Sequence, residues 1–427
     1  MPGEISSSLR KADPLVARAI QARWLHVILL FLGLVGWLIF ILACVGGPAW
    51  SPDGSQILFA YRDVDNSRTS VALYDRTKGN IRVIFSQPYE KEGELALHPQ
   101  WQRDGKRALV AIFGGTPDRG DDGCQLVSIP ITSKLPLQVY NLGQTPGCIY
   151  TYPQMNDRVY FAGTDLRWVD LKTGKVNSSK FKMDGKDSDE EQVLLSEGNG
   201  GLYYQRSLKR KVQAADGTEH DENGEELGRL QTEESSFRPS FVFWDRDLHA
   251  LGVESDATGT SPISIAPDGS RSAMIASKNG DDSDSILLME DKKGVVRVFN
   301  PDLGRKPFEL GNLTWSADTK ILYASVLTRT DAKDVQEYWL AEIPLDGSRV
   351  RLTKIASVNS EMNTDFEDVF HMAMDVSLSP DGRWIAATPA VLGEKMLAPA
   401  DRALVLIDLH DPARRLKKVP IPHQPAE

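Results

Sequence analysis

The chain has 427 residues, an apolar content of 41%, a charged content of 25% and a formal net charge of −10 at pH 7. These proportions are ordinary for a globular protein and exclude a wholly disordered chain. Residues 1–47 carry a net charge of +2, which leaves −12 for residues 48–427. That balance argues against nucleic acid as a partner, because phosphate binding needs a concentrated basic face.

The N-terminal part of the chain is a polar segment followed by an apolar one. Residues 1–24 are polar and basic, and residues 25–46 contain the run LHVILLFLGLVGWLIFILACV with only His26 near its edge. About 20 such residues span a bilayer as a helix, so the sequence predicts a transmembrane anchor at 25–46. Basic residues precede the run and the next one is Arg62, so the positive-inside rule makes residues 1–24 a cytoplasmic segment and places the rest outside the cytoplasm.

The same apolar segment has a second interpretation. The motif Ile41-Leu42-Ala43-Cys44 resembles the lipobox of bacterial lipoprotein precursors, in which the cysteine is lipidated and becomes the new N-terminus. Leu42 is unusual for its place in that pattern, and the run is longer than the core of a typical cleaved signal. Both interpretations predict a body tethered to a membrane on its non-cytoplasmic side. The predicted location is the bacterial inner membrane, with the body in the periplasm.

A turn followed by an apolar strand recurs along the rest of the chain. The clearest copy is Trp50-Ser51-Pro52-Asp53-Gly54 with the apolar run 56–61 behind it. In such a turn Pro presets φ, Asp caps its own backbone and Gly supplies a positive φ. The predicted structural turn residues of the clear copies are Asp53, Gly54, Asp104, Gly105, Asp268, Gly269, Asp318, Asp381 and Gly382. Weaker copies near Tyr152 and Gly200 bring the number of copies to seven.

The spacing of these copies predicts the fold class. Each turn and strand is followed by a second apolar segment, a turn and a third, with a period near 50 residues. Short, evenly spaced strands with this period are typical of four-stranded blades arranged radially. The repeat resembles the TolB-type, WD-repeat-like β-propeller motif, in which an aromatic residue precedes Ser-Pro-Asp-Gly and a strand. The predicted fold is therefore all-β, a seven-bladed β-propeller over residues 48–419 preceded by a single transmembrane helix.

Two segments depart from this regular pattern. Residues 207–236 in blade four carry four basic against eight acidic residues and scarcely any apolar ones. Because such a segment cannot bury enough apolar surface to become ordered, it is predicted to be a mobile acidic loop. A solvated loop without a role and a docking element for a basic partner both stay open. Residues 420–427 contain three prolines and are predicted to be a disordered tail.

Three cysteines and seven histidines are the first candidates for chemistry. Cys124 and Cys148 are predicted to form a disulfide in an oxidising compartment, with two buried thiols as the alternative. His98 and His371 each lie just before the first strand of a blade, near the predicted central channel. A channel metal or a general base is one interpretation of them, and ordinary histidines at strand edges are the preferred one.

Acidic clusters occur at 118–122 and 281–284. Their oxygen atoms could ligate calcium, but neither cluster has EF-hand spacing, so solvated turn acids are the preferred interpretation. No cofactor and no metal are predicted. The repeated turn aspartates are interpreted as structural caps rather than catalytic groups, because they hold a fixed place in a turn.

Known catalytic motifs are missing from the sequence. There is no nucleophile elbow, no P-loop, no dinucleotide-binding glycine motif and no HExxH, so the chain is predicted not to be an enzyme. The leading hypothesis is a membrane-tethered, extracytoplasmic propeller that acts as a non-catalytic scaffold for a protein partner in the cell envelope. The alternative is a propeller enzyme or carbohydrate-binding protein that uses the central channel. A third hypothesis is a sensor or transport accessory that signals through the membrane helix.

Overall fold

The computed structural model describes residues 47–63, 68–88, 96–113, 123–132, 136–144, 153–155, 157–162, 165–182, 193–198, 201–213, 217–231, 236–244, 263–276, 284–290, 293–304, 308–329, 335–359, 376–388 and 403–421. Within these residues lie twenty-eight β-strands. They form seven antiparallel sheets of four strands, and every sheet takes four consecutive strands in chain order. Each sheet is therefore one complete blade.

The first four blades begin at residues 49, 96, 154 and 193. Blade one contains β1 Ala49–Trp50, β2 Gln56–Asp63, β3 Arg68–Asp75 and β4 Asn80–Pro88. Blade two contains β5 Ala96–Trp101, β6 Arg107–Phe113, β7 Gly123–Pro130 and β8 Gln138–Gln144. Blade three contains β9 Gln154–Met155, β10 Arg158–Ala162, β11 Asp165–Asp170 and β12 Val176–Lys182. Blade four contains β13 Val193–Gly198, β14 Gly201–Gln213, β15 Glu219–Gln231 and β16 Ser236–Trp244.

The last three blades repeat the same order. Blade five contains β17 Ser264–Ile265, β18 Arg271–Ala276, β19 Ser285–Glu290 and β20 Gly294–Phe299. Blade six contains β21 Phe308–Trp315, β22 Ile321–Arg329, β23 Val335–Pro344 and β24 Arg351–Asn359. Blade seven contains β25 Val376–Leu378, β26 Trp384–Ala387, β27 Ala403–Asp408 and β28 Leu416–Pro420.

Seven apolar clusters fill the spaces between the blades, and each cluster draws residues from two neighbouring blades. The cluster between blades seven and one packs Ile57 and Phe59 of β2 against Ala386 of β26 and Leu406 of β27. Because these blades pack on both faces, middle strands such as β2 and β27 are buried on both sides and have nearly continuous apolar sequences. The seven clusters close the ring.

Hydrogen bonds between first strands locate the centre of the ring. The indole Nε1 of Trp101 in β5 donates to the main-chain oxygen of Ala49 in β1 at 2.9 Å. Trp50 in β1 donates in the same way to Ser377 in β25, and Trp315 in β21 donates to Ser264 in β17. Since these first strands bond to the first strands of the preceding blades, we place the first strands around the centre of the ring.

The seam between blades seven and one closes without exchange of a strand. Besides the apolar cluster, the Arg76 guanidinium lies 5.3 Å from the ring centre of Trp50 and 4.8 Å from that of Trp384. Arg76 also donates to the main-chain oxygen of Gly54 at 2.8 Å. A cation between two aromatic faces is stabilised by both ring quadrupoles. Side-chain packing therefore joins the first and last blades.

Chain direction gives the propeller two distinct faces. The turns between the first and second strands and between the third and fourth strands of each blade lie on one side, here called the turn face. The connections between second and third strands, and those between blades, lie on the opposite side, here called the loop face. Strand β1 runs from the loop face to the turn face because the turn after Trp50 follows it.

The predicted all-β, seven-bladed propeller is confirmed. The predicted cytoplasmic segment 1–24 and anchor 25–46 lie outside the described residues, and no helix among the described residues is long and apolar enough to cross a membrane. The boundary placed at 420 is slightly early, because β28 ends at Pro420 and Ile421 packs on the seam cluster. The predicted mobile loop 207–236 is wrong where the structure describes it, since β14, β15 and the start of β16 occupy those residues.

Candidate interaction site

The repeated turn aspartates bond within their own turns. Oδ1 of Asp53 accepts from the Ser51 hydroxyl at 2.6 Å and from the Ser55 amide at 3.0 Å. The carboxylates of the other copies likewise accept from the amide two residues further on: Asp104, Asp268, Asp318 and Asp381. The hydroxyl of Ser51 is the main reason that the pKa of Asp53 lies below its ordinary value. These carboxylates hold the turns.

Neighbouring turns also contact one another around the turn face. A Cβ on Gly54 would lie 3.6 Å from Cδ of Pro380 in blade seven, and one on Gly105 would lie 3.6 Å from Cδ of Pro52 in blade one. That spacing has room for a methyl group, so the positive φ of these glycines, near 70°, is what favours glycine. In blade six Thr319 holds the same backbone conformation with φ of 60°.

Two buried acidic residues connect blades. Oδ2 of Asp284 in blade five accepts from the Leu310 amide in blade six at 2.6 Å. Glu342 in blade six accepts two hydrogen bonds from the Arg414 guanidinium in blade seven at 2.7 and 2.8 Å. Burial, together with the Glu342 charge, raises the pKa of Tyr323 to about 12. Both carboxylates are engaged in holding the ring together.

The predicted candidates for other chemistry are only partly within the described residues. Of His98 in β5 and Cys124 in β7 the structure describes the main chain, with Cys124 paired opposite Gly143. His371, Cys148, the cluster 118–122 and residues 281–283 lie outside the described residues. Among the residues that are described, no three His, Cys, Asp or Glu side chains are placed to hold a metal ion. The disulfide and the histidine hypotheses therefore stay predictions.

The feature that distinguishes one blade from the rest is a long hairpin in blade four. Strands β14 and β15 have 13 residues each and pair from Leu202↔Leu230 to Gln213↔Glu219. In the described residues β13 pairs with β14 only up to Arg206, and β16 pairs with β15 only from Gly224 onwards. Residues 207–213 and 219–223 therefore form a two-stranded extension on the loop face, here called the blade-four ribbon.

Ion pairs cross between the two strands of this hairpin. Arg210 contacts Oε2 of Glu222 at 2.6 Å, and Arg206 contacts Oε1 of Glu226 at 2.9 Å. Glu222 is only 6% exposed and Glu226 only 9%. The Tyr204 hydroxyl also donates to Glu226 at 2.8 Å, and burial together with this bond raises the pKa of Tyr204. Opposite charges in cross-strand positions thus order a segment that has few apolar residues.

The exposed side chains of the ribbon include both acidic and basic groups. Glu219 and Asp221 of β15 are exposed, and so are Lys211 and Gln213 of β14. Asp221 lies directly opposite Lys211, and the ribbon contains three basic residues, Lys209, Arg210 and Lys211, against three acidic ones, Glu219, Asp221 and Glu222. The ribbon therefore has no formal net charge, and its surface is polar with both signs of charge.

Sequence comparison identifies no relative: no protein-family model matches the chain, and no curated protein does. Similar solved structures include TolB from Acinetobacter baumannii, with 15% identity over 73% of this chain and 54% of that chain at a TM-score of 0.35. A prolyl endopeptidase structure covers 86% of this chain and 47% of its own, with 12% identity and a TM-score of 0.46. This chain thus spans about half the length of either. The resemblance of the repeat to TolB-type propellers holds at the level of the fold.

An oligogalacturonate lyase in complex with manganese is also similar, with 10% identity over 89% of this chain and 76% of that chain and a TM-score of 0.40. Together with the prolyl endopeptidase, this shows that similar propellers occur in enzymes. The prediction that the chain is not an enzyme is therefore wrong as an exclusion, because missing sequence motifs do not rule out catalysis on this fold.

Proposed function

We propose that this chain is a membrane-tethered, extracytoplasmic propeller of the cell envelope that binds a partner protein through the loop face, with the blade-four ribbon as its docking element. The tether is supported by the uncharged run in residues 25–46 and by the distribution of basic residues around it. A membrane tether and an ordered docking element on the loop face together suit a protein that presents a rigid binding surface close to a membrane.

The ribbon carries this proposal. Residues 207–213 and 219–223 contribute no member to the seven apolar clusters, whereas Leu202, Tyr204 and Leu227 in the lower part of the same hairpin do. The ring therefore does not depend on the ribbon for its core. An ordered extension that the core does not use, placed where loops carry function in many scaffolds, is the best candidate for binding.

The charge of residues 207–236 as a whole indicates the chemistry of the partner. This segment carries eight acidic against four basic residues, so a basic segment is the complementary surface. Electrostatic complementarity of this kind speeds association and selects among partners more than it adds affinity. The docking role that the acidic composition of residues 207–236 suggested is thereby assigned to an ordered hairpin.

The register of the hairpin supplies the test. Leu208 and Gly224 are directly opposite each other, so residues 209–223 can be replaced by Asn-Gly, which favours a tight two-residue hairpin turn and keeps the pairing of β15 with β16. The full-length protein and this shortened variant would be isolated from detergent-solubilised membranes. We expect a near-stoichiometric partner with the full-length protein and none with the shortened variant, while both unfold at the same temperature.

A substitution away from the ribbon serves as the control. Asp346→Lys reverses an exposed acidic residue in the turn between β23 and β24, on the turn face, and is expected to keep the partner. Equal recovery of the partner by the shortened variant would show that the ribbon is not the docking element. Recovery of the protein alone in several detergents would count against a protein-binding role altogether.

A further inference from the structure

The outermost strand of blade two differs in charge from the outermost strands of the other blades. In every blade the fourth strand forms the outer edge of the sheet, and within the described residues it pairs only with the third strand. The sequences of six of these outer strands contain lysine or arginine, with Arg82 in β4, Lys180 in β12, Arg238 in β16, Arg297 in β20, Arg351 in β24 and Lys417 in β28. Strand β8, Gln138–Gln144, has the sequence QVYNLGQ and contains no charged residue.

The lack of charge matters because β8 is an edge strand. The outward main-chain N–H and C=O groups of an edge strand are a template for pairing with a further strand. Proteins block such edges with charged residues, above all lysine, and with proline. Strand β8 contains neither, so the edge of blade two is open to pairing.

Exposed apolar side chains lie at the same edge. Leu137 is 49% exposed and Val139 is 52% exposed, and among the described residues the other exposed large hydrophobic side chain is Val176, at the start of the neighbouring outer strand β12. Leu137 directly precedes β8 and lies two positions before Val139, so the alternation of extended chain places both side chains on one side of the blade. Tyr140 and Leu142 alternate with them and belong to the cluster with blade three. The core therefore uses one side of β8 and leaves Leu137 and Val139 on the other.

We propose that β8 pairs antiparallel with β8 of a second copy of this chain, so that two propellers form a two-fold symmetric dimer. In a register centred on Gln138, Leu137 of each copy lies opposite Val139 of the other copy. Apolar cross-strand pairs of this kind stabilise a sheet, whereas like charges directly opposite each other destabilise it.

The charge of the outer strands selects a second copy as the occupant of this edge. Pairing of any other outer strand with its own copy would bring basic residues of both copies into one short ladder, and only β8 avoids this among the seven outer strands. A strand without charge also offers nothing that would select a charged peptide. Because a two-fold contact uses the same surface on both copies, the pairing closes at the dimer.

Sedimentation of the full-length chain in detergent measures the self-association. We expect a monomer–dimer equilibrium whose dissociation constant rises about tenfold with Val139→Lys, because one substitution removes both apolar pairs of the symmetric contact. Val176→Lys is the matched control, since it changes an exposed valine of β12, and it should alter the constant by less than about twofold. Both variants should unfold at the temperature of the parent chain. A chain that stays monomeric, or a dimer that Val139→Lys weakens no more than Val176→Lys does, overturns the proposal.

A pair of opposite charges tests the register. Leu137→Glu should weaken the dimer as Val139→Lys does. Because position 137 of one copy lies opposite position 139 of the other, a mixture of the two variants should recover an association within about threefold of the parent. Absence of recovery in the mixture overturns the register centred on Gln138.

A photo-crosslinking amino acid at Gln138 in intact cells identifies the occupant of the edge. The expected adduct has twice the mass of the chain and joins position 138 to residues 136–144 of a second copy. The same amino acid at Ser178, an exposed position of β12, should give at least threefold less of this adduct. An adduct with a different protein overturns the dimer. The pairing does not use the blade-four ribbon, so the variant without residues 209–223 should give the same adduct, and failure of the dimer leaves the proposed function intact.

Discussion

The indole of Trp50 donates a hydrogen bond of 2.9 Å to the main-chain oxygen of Ser377, which lies 327 positions away in the sequence. The bond crosses the seam between the first and last blades. Bonds of the same type, at 2.9 and 3.0 Å, join Trp101 to Ala49 and Trp315 to Ser264 within the ring. The seam therefore shares this bond with two other blade interfaces, although it joins opposite ends of the propeller sequence.

This similarity makes a prediction about stability. Trp50→Phe keeps most of the aromatic area but removes the indole donor, so we expect the free energy of unfolding to fall by about 1–2 kcal/mol. Trp315→Phe removes the equivalent bond in the middle of the ring and should cost a similar amount. Urea unfolding of both variants measures this. A much larger loss for Trp50→Phe, or a changed slope of its transition, would mean that the seam is a weak point.

Thr319 offers a stabilising substitution. A β-branched residue with φ of 60° is strained, and an L-residue in this region costs about 1–2 kcal/mol. Arg271 donates to the Thr319 main-chain oxygen at 2.9 Å, a bond that Thr319→Gly retains, and to the hydroxyl at 3.3 Å, a bond that it removes. After this loss and the entropic cost of glycine, we expect the free energy of unfolding to rise by about 0.5 kcal/mol. The reverse case is Gly382→Ala, whose Cβ would lie 3.7 Å from Ala317 and which should destabilise by about 1 kcal/mol. Thermal melts of both variants decide the sign.

Asp408 gives part of the acid sensitivity of the ring. The hydrogen bond from Arg383 lowers the pKa of Asp408 to about 2, from an unfolded value of about 3.9. A lowered folded pKa means that this carboxylate stabilises the protein above about pH 4 and that its contribution is lost as the pH falls toward 2. Asp408→Asn should therefore flatten the decline of stability between pH 4 and 2. An unchanged slope in denaturant titrations across that range would contradict this.

The ion pair in the ribbon predicts unequal effects of its two members. Glu222 is 6% exposed, whereas the Arg210 side chain is 31% exposed and can reach water. Arg210→Met takes the cationic partner from a buried carboxylate and should cost about 1–3 kcal/mol of local stability, more than Glu222→Met does. The double substitution should recover much of the loss. Amide hydrogen exchange in residues 207–213 reports on local opening, and equal exchange in the two single variants would contradict the asymmetry.

The cysteines allow a direct chemical test. Cys124 pairs in the main chain with Gly143, five positions before Cys148 in the sequence. We expect that thiol titration of residues 48–427, denatured without reductant, finds neither cysteine free. Reduction should release both thiols. Two free thiols before reduction would exclude the disulfide and would also weaken the case for an oxidising compartment.

Much of the ring could be predicted because turn residues repeat at fixed places. The Pro-Asp-Gly turns located the second strands of several blades, and even the weak copy at Gly200 fell at the start of β14, the second strand of blade four. Closure of the ring could not be predicted. Closure depends on contacts between residues far apart in the sequence, such as the packing of Arg76 between Trp50 and Trp384, and no local sequence pattern indicates such contacts.

The hairpin in blade four was missed because its order comes from paired charges rather than from apolar residues. A usable signal was present, since Arg210 and Glu222 lie at equal distances from Asp216, as do Arg206 and Glu226. The dipeptide Asp216-Gly217 at that centre is a hairpin signal, and Gly217 has a positive φ of 86°. The total number of charges does not show that basic and acidic residues are placed symmetrically about the turn. The register of the antiparallel pair shows this symmetry.

Each blade takes its strands from one continuous stretch of chain, and this has a consequence for biosynthesis. Most contacts inside a blade are close in sequence, so a blade can assemble soon after it leaves the ribosome. Until the seventh blade has been made, the growing protein is an open arc whose two end blades expose apolar surface. A nascent chain stalled before residue 376 should therefore be the species that chaperones recognise.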